Sequence, residues 1–482
     1  MSGIYGVVSK KDCIETLFYG TDYHSHLGTE FGGLAVMNGD RFFRQIHEIG
    51  QSQFKSKFFE DIPELAGNKG IGVISDSNEQ PIYLNSKFGP FCIATMGLIE
   101  NAESLVRELL DQGHSFSEMS AKGPVNTTEL IARLIALGDN LIDGIDRMFD
   151  KIEGSCSLLI LNKDGVYAAR DRWGYTPLVV AKHAETYAIA SETSSFPNSD
   201  LKIMKYLAPG EIVLLTEDGL VSQKEGNGAM QVCTFLWIYM GFPASDYEGI
   251  STEAVRERCG AALARRDKDI KADVVAGVPD SGTSHAIGYA IESGKPFRRP
   301  LVKYTPGYGR SYTPPNQEQR DLIARMKLVP IREVINGNRI VLCDDSIVRG
   351  TQLKNFTINK LWDSGAKEIH VRPACPPIMF PCKFCLSTRS THELVARRAI
   401  RNIEGCDVED VSEYVNSDSS RYKKMVDWIT RDLGVTTLRY QTVEDMVKAI
   451  GLPREKLCLY CWTGECPNKC QGSKSKCENN SL

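Results

Sequence analysis

Hydrophobic and polar positions give the 482-residue chain two textures. Up to about residue 225, short apolar runs are broken by Gly, Asn and Asp. Gly154-Ser-Cys-Ser-Leu-Leu-Ile-Leu161, Gly165-Val-Tyr-Ala-Ala169 and Glu211-Ile-Val-Leu-Leu215 read as strands. Residues 128–138 carry helical periodicity between them. Strands and helices mixed in this way predict layered α+β structure. From about residue 252 the pattern changes. A helical stretch, Ala254 to Arg266, leads into the apolar run Asp273-Val-Val-Ala-Gly-Val278, then turn residues and a further helix. Residues 338–375 repeat the idea. Arg339-Ile-Val-Leu-Cys343 is a buried strand, Asp344 to Gly350 a loop, Thr351 to Asp363 a helix with Leu353, Phe356 and Leu361 facing inward, and Glu368-Ile-His-Val371 the next strand. Strand–helix–strand units of this length predict a parallel sheet. Beyond about residue 400 the chain reads as helical and then cysteine-rich, with a polar end. It carries no long-period repeat.

Length and charge narrow the classes. At roughly 100–200 residues per domain, the chain holds two to four domains. Lys and Arg number 57 against 61 Asp and Glu, for a net charge of -4. That balance supplies no bulk electrostatic grip on nucleic acid or an anionic membrane. No apolar run approaches the roughly 18 residues that span a bilayer. The start, Met1-Ser2-Gly3-Ile4-Tyr5-Gly6, lacks a basic stretch followed by an apolar one, so a cytoplasmic location is expected. Fifteen cysteines are then better explained by metal or cluster ligation than by disulfides.

The sharpest chemical signal is Val341-Leu-Cys-Asp344-Asp345-Ser346-Ile-Val348-Arg349-Gly350-Thr351. A buried strand delivers two adjacent carboxylates to its C-terminal edge. The following loop supplies backbone N–H groups and hydroxyls at a helix N-terminus, where a phosphate is favoured. The carboxylates suit sugar hydroxyls or Mg2+, an ion that prefers oxygen ligands. A phosphorylated sugar fits both halves. A bare Asp-Asp would more simply be an acidic turn, but the full string argues against that.

This string resembles the phosphoribosyl-pyrophosphate (PRPP) signature of type I phosphoribosyltransferases. Val274-Val-Ala-Gly277-Val-Pro279-Asp280-Ser281-Gly282 resembles their pyrophosphate loop. Gly309-Arg310-Ser-Tyr-Thr-Pro-Pro315-Asn-Gln317-Glu-Gln-Arg320, then Arg325-Met-Lys327, resembles the loop that closes over PRPP. With Val371-Arg-Pro-Ala-Cys-Pro376-Pro377-Ile-Met-Phe380-Pro381-Cys382, the set resembles the glutamine PRPP amidotransferase family, its iron–sulfur branch.

The resemblance implies three parts. Residues 1–228 would be a degenerate glutamine amidotransferase type 2-like domain with the α+β N-terminal-nucleophile fold, four layers ordered αββα. Residues 229–400 would be an α/β type I phosphoribosyltransferase domain with a parallel sheet, and 401–482 a helical, cysteine-rich cluster-binding segment. It implies that Asp344, Asp345 and Ser281 hold ribose and Mg2+, that Ser346, Val348, Arg349, Gly350 and Thr351 cradle the 5-phosphate, and that Asp280, Arg310, Arg320, Arg325 and Lys327 face the pyrophosphate. Purine nucleotides as inhibitors and a homodimer or homotetramer are further implications.

Cys458-Leu-Tyr-Cys461 alone reads as a redox pair, a zinc half-site or a cluster half-site. The resemblance implies a 4Fe-4S cluster held by Cys233, Cys382, Cys458 and Cys461, with zinc or free thiols as alternatives. Cys385, Cys466, Cys470 and Cys477 are unassigned, and Cys156 and Cys343 read as small buried hydrophobes.

In the first half scaffold motifs resemble the family's glutaminase, among them Gly28-Thr-Glu30-Phe-Gly32-Gly33, Asp171-Arg-Trp-Gly174-Tyr-Thr-Pro177-Leu178, Ala190-Ser191-Glu192-Thr193 and Pro209-Gly210-Glu211. Its chemistry does not match. Ser2 stands where the family has its cysteine nucleophile. Ser75 stands for the arginine that holds the substrate carboxylate, Met96 for the oxyanion asparagine and Thr127 for the aspartate that holds the substrate amine. The implied half cannot hydrolyse glutamine; the alternative is a Ser2-dependent hydrolase with rebuilt specificity. Gly241-Phe-Pro-Ala-Ser also departs from the family's Arg-Pro-Asp-Ser near the junction, and Cys385-Leu-Ser from its Gly-Ile-Asp on the acceptor side.

The expected activity is therefore conversion of PRPP and ammonia, free or from a donor, to 5-phosphoribosylamine and pyrophosphate, the opening of purine synthesis. The alternatives are a PRPP transferase for another acceptor and a non-catalytic regulator that binds PRPP or nucleotide and pairs with an active relative.

Overall fold

The computed structural model describes residues 2–50, 52–118, 120, 125–304, 326–385 and 390–465. Two antiparallel sheets face each other in the first half. One has seven strands, in the order Lys202–Tyr206, Val179–His183, Thr186–Ala190, Gly3–Ser9, Lys69–Ser75, Phe31–Asn38 and Arg41–Glu48. The other has six, ordered Gly219–Lys224, Ile212–Thr216, Gly165–Ala169, Gly154–Asn162, Gly89–Ile99 and Ile82–Ser86.

Between the sheets lies an apolar core that includes Ile4, Val73, Met96 and Leu159. Helix Ile14–Asp22 covers the outer face of the first sheet, and helices Ala102–Asp111, Thr127–Ala136 and Leu141–Lys151 that of the second. This is the expected αββα layering. It explains why Gly154–Asn162 reads as a continuous apolar run instead of an alternating one. Its strand is covered on both faces, so both sets of side chains are buried.

The second half is built on a parallel sheet ordered Val274–Gly277, Arg339–Asp344, Glu368–Pro373 and Thr437–Leu438. Helices Thr252–Arg266, Thr283–Ser293 and Val443–Ile450 pack on one face, and Val395–Glu404 and Ser420–Leu433 on the other. The chain past residue 400 thus contributes a strand and a helix on each face.

One helix differs from its expected form. Residues 351–363 are helical, but Leu353–Ile358 form a wide π turn. The extra residue per turn rotates the inward face: Thr357 and Ile358 are buried and Phe356 is only half-buried.

The halves are joined through backbone and buried polar contacts. Gln231 and Cys233 donate their N–H groups to the carbonyls of Trp173 and Tyr175. Buried Glu192 accepts from the Phe242 N–H at 2.9 Å and from Ser245 Oγ at 2.5 Å, while its other oxygen meets His26 Nε2 at 2.9 Å. Burial opposes ionisation of Glu192, yet His26, His24 and the Ser245 hydroxyl hold it below the ordinary carboxylate range.

Candidate active site

Two loops leave the C-terminal ends of adjacent parallel strands and meet. Val278 donates its N–H to the Cys343 carbonyl at 2.9 Å. Gly277 and Gly282 allow the approach, since a Cβ on Gly282 would lie 2.2 Å from that carbonyl oxygen and one on Gly277 2.5 Å from the Gly282 oxygen. Ser281 Oγ then donates to Asp344 Oδ1 at 3.0 Å. The Asp345 N–H donates to the same oxygen, and Ser346 Oγ donates to Asp345 Oδ1 at 2.5 Å.

Both carboxylates are buried. Burial and the neighbouring Asp345 push Asp344 well above the ordinary range. Burial also raises Asp345, against hydrogen bonds from Ser346, Ser281 and Asp344 and the charge of Arg256. Two adjacent carboxyls held this way lower their energy by taking up a cation, so the donor set suits Mg2+.

The loop behind them is shaped for an anion. None of the N–H groups of residues 346–350 has a backbone acceptor among the described residues. Gly350 adopts φ +78, a conformation suited to glycine, at the entry to the 351–363 helix. The loop is tied from behind, with Val348 O accepting from Val395 N and Arg349 O from Arg398 Nη1. The Arg349 side chain pairs with Glu393 at 2.7 Å. Lys327 lies at the base of the ribbon formed by Leu301–Lys303 and Leu328–Pro330, where its carbonyl accepts from Tyr304 N. Arg310, Arg320 and Arg325 lie outside the described residues.

In the first half, Ser2 is buried at the start of Gly3–Ser9, and the pairing of Gly3 with Ile74 sets Ser2 beside Ser75. Ser75 Oγ accepts from the Asn78 N–H at 3.2 Å and from Gln80 Nε2 at 3.3 Å. Gln80 is locked to Thr95 by bonds in both directions. Asn78 Nδ2 reaches Thr127 Oγ1, and Met96 is buried in the inter-sheet core. No cationic side chain stands at position 75, no amide donor at 96 and no carboxylate at 127.

The cysteines expected to act together come from three segments. Cys233 pairs with Cys458 in a short parallel bridge. Cys382 Sγ accepts the backbone N–H groups of Phe384 and Cys385, at 3.4 and 3.3 Å. The Cys461 thiol lies against that of Cys382, and the Cys385 thiol against that of Cys233; these contacts, then burial, raise both well above the ordinary thiol value. Among the described residues no group of three or more His, Cys, Asp or Glu is gathered as a metal site. The thiols meet in pairs within one apolar box. Cys466, Cys470 and Cys477 lie outside the described residues.

Known proteins are similar to this chain. A glutamine amidotransferase domain family matches residues 69–198. The amidophosphoribosyltransferase of Methanocaldococcus jannaschii is 32% identical, over 97% of this chain and 98% of its own. That of Bacillus subtilis is 31% identical, over 97% and 94%. The chain belongs to the amidophosphoribosyltransferase family. The solved glutamine PRPP amidotransferase of B. subtilis, complexed with ADP and GMP, superposes with a TM-score of 0.82 at 29% identity, covering 96% of this chain and 97% of that one. No helix among the described residues is long and apolar enough to cross a membrane.

Within this amidophosphoribosyltransferase frame, the structure gathers Asp344, Asp345, Ser281 and the 346–351 loop at one edge of the sheet. Three residues escaped the sequence reading. Lys303 pairs with Asp280 at 3.0 Å beside the pyrophosphate-type loop. Arg256 is buried, its guanidinium bonded to the carbonyls of Trp237, Tyr239 and Gly241, and its charge acts on Asp345. His24 packs against Gly3, with Nδ1 on the Gly20 carbonyl; burial pushes its pKa down to about 4. Lys303, at the end of an apolar triplet before the closing loop, carried a usable signal. Arg256 and His24 sit mid-helix or just past a helix, where a single charged residue reads as surface.

Proposed function

We propose that this amidophosphoribosyltransferase converts PRPP and ammonia to 5-phosphoribosylamine and pyrophosphate, and that its N-terminal half does not hydrolyse glutamine. The observation that carries the reading is the pair of buried carboxyls, Asp344 and Asp345, bonded to Ser281 and followed by a loop whose N–H groups have no backbone acceptor among the described residues. The carboxyls and Ser281 would hold Mg2+ and the ribose hydroxyls, the loop N–H groups the 5-phosphate, and Asp280 with Lys303 and Lys327 the pyrophosphate side. Mg2+, when bound, neutralises the departing pyrophosphate. The nitrogen lone pair of ammonia forms the new bond to the anomeric carbon as the bond to the pyrophosphate oxygen breaks, and the resulting ammonium gives one proton to solvent. The remaining task is positioning, charge stabilisation and exclusion of water.

A 4Fe-4S cluster on Cys233, Cys382, Cys458 and Cys461 belongs to the same reading, supported by the pairing of Cys233 with Cys458 and by the amide N–H groups that point at the Cys382 sulfur. A cluster there would tie the C-terminal C-x-x-C to the body of the fold. The same reading divides the chain near residues 228 and 400 and takes purine nucleotides as inhibitors, a homodimer or homotetramer as the assembly and the cytoplasm as the location.

The test is pyrophosphate release from PRPP and Mg2+ with ammonium or glutamine as nitrogen source. Release with ammonium alone is expected. Equal release with glutamine would overturn the inert first half. No release with either would favour the regulator, and release only with another amine a different acceptor.

A further inference from the structure

Two hydrogen bonds reach the 346–351 loop from behind, and both come from the helix Val395–Glu404. The Val395 N–H donates to the Val348 carbonyl at 2.8 Å, and Arg398 Nη1 donates to the Arg349 carbonyl at 3.1 Å. In a trans peptide the carbonyl and the N–H of the next residue point in opposite directions. The peptide bonds after Val348 and Arg349 are both trans. A carbonyl held toward the helix therefore turns its own peptide N–H to the far side of the loop. Fixing the Val348 carbonyl aims the Arg349 N–H, and fixing the Arg349 carbonyl aims the Gly350 N–H. Neither N–H has a backbone acceptor among the described residues.

Arg398 is itself held by a second helix, Ser420–Leu433. Its guanidinium lies over the Trp428 ring, 5.9 Å from the centroid, and Nη2 donates to Asp432 Oδ2 at 3.5 Å. Trp428 is bonded back to Asn402, on the helix that carries Arg398, at 2.8 Å. Both helices touch the loop at one point, since a Cβ on Gly350 would lie 3.4 Å from Leu433 and 3.5 Å from Val395. A cation in the first turn of a helix is opposed by the helix dipole, so a purely solvated charge gains nothing from this position. We infer that Arg398 is a positioning residue for the 5-phosphate: by holding the Arg349 carbonyl it presets the Gly350 N–H toward the ligand. A donor fixed in advance costs no rearrangement when the ligand arrives. The inference rests on the phosphate-loop reading given above and adds the residue that presets the loop.

The experiment measures the calorimetric Kd of the full chain for ribose 5-phosphate and for pyrophosphate, each with Mg2+, together with KM and kcat for PRPP with ammonium. The variants are Arg398→Met, Arg398→Lys and Arg401→Met. Arg398→Met is expected to weaken ribose 5-phosphate roughly three- to tenfold, about the worth of one hydrogen bond. KM for PRPP should rise by a similar factor, while kcat and pyrophosphate binding stay near the original. Arg398→Lys keeps a donor and should recover most of the loss. Arg401→Met removes a charge from the same helix but no bond to the loop, and should change neither Kd. Should Arg398→Met not fold, Arg398→Gln, too short to reach the carbonyl, gives the same reading. Unchanged ribose 5-phosphate binding in the Arg398 variant overturns the inference. So does an equal weakening of both ligands, which would mean a site loosened as a whole, and so does an equal loss in Arg401→Met, which would trace the effect to charge alone. Unsubstituted protein that takes up no ribose 5-phosphate overturns the phosphate-loop reading itself, a distinct outcome.

Discussion

The side-chain amide of Asn78 donates to Thr127 Oγ1 at 2.6 Å, at the position proposed above to lack the carboxylate of an active glutaminase. Asn78 and Gln80 also satisfy Ser75, so the polar groups around Ser2 are bonded to one another. A nucleophile restored alone would still face Ser75, Met96 and Thr127 in place of a cation, an amide and a carboxylate. Ser2→Cys is expected to leave glutamate release from glutamine undetected, since loss of one oxyanion donor alone costs about 10²–10³ in rate. Ammonium-dependent pyrophosphate release should be unchanged. A glutamate assay on the two proteins checks both; strong release from Ser2→Cys would mean that the pocket is competent.

Asp344→Asn should separate stability from activity. The asparagine oxygen can still accept from Ser281 and the Asp345 N–H. What it removes is a buried charge beside a second carboxyl. Because the folded protein binds the Asp344 proton more tightly than the unfolded chain does, that proton stabilises the ligand-free fold in acid. The contribution is lost as pH rises from the ordinary range near 3.8 through the raised folded value. At neutral pH the variant is expected to melt higher without ligand, by on the order of 1.4 kcal/mol for each unit of raised pKa removed. Pyrophosphate release should fall by roughly 10²–10³. Thermal melts and turnover, each with and without Mg2+ and PRPP, give the readout. A lower melting point would show that the charge is stabilised by contacts beyond those described.

Much of the second-half site was legible because local rules and tertiary structure agree there. Val341 to Thr351 reads as strand, acidic edge, glycine turn and helix, and each piece forms by short-range geometry. The π turn after Gly350 was not legible, since 3.6- and 4.4-residue turns differ by a single buried position, Phe356 against Thr357 and Ile358. Arg256 was hidden for another reason. Its partners are backbone carbonyls of residues 237–241, and a carbonyl leaves no trace in a side-chain pattern. The buried role of Glu192 lies in a contact with residues 50 and 53 positions away, which periodicity does not encode.

Glu192→Ala should loosen the junction between the halves. It leaves the Phe242 N–H and Ser245 hydroxyl without the carboxylate they donate to and removes the Glu192 contact of His26. A buried donor left without its acceptor costs about 1–3 kcal/mol. The pH dependence follows from the direction of the shift. Glu192 is held below its ordinary 4.5, so its stabilisation is present above that value and is lost as pH falls through the folded value. Melting temperatures from pH 3 to 7 are expected to show a steeper acid decline for the unsubstituted chain than for Glu192→Gln. Parallel declines would exclude Glu192 as a contributor.

Arg256 provides the sharpest test of electrostatics at the carboxyl pair. Burial drives Asp345 upward, and the Arg256 charge is among the groups that pull it down. A cation must displace the carboxyl proton to bind, so uptake of Mg2+ with PRPP strengthens as pH rises through the Asp345 value. Arg256→Met keeps the buried volume and removes the charge. The acid limb of binding should then move to higher pH. Arg256→Lys retains the charge but has no planar fork to reach the carbonyls of Trp237, Tyr239 and Gly241 together. That variant should lose melting temperature while its acid limb stays near the original. Calorimetric titration across pH distinguishes the two effects: an unmoved limb in Arg256→Met would mean that Arg256 serves the junction alone and that Asp345 is tuned by its own hydrogen bonds.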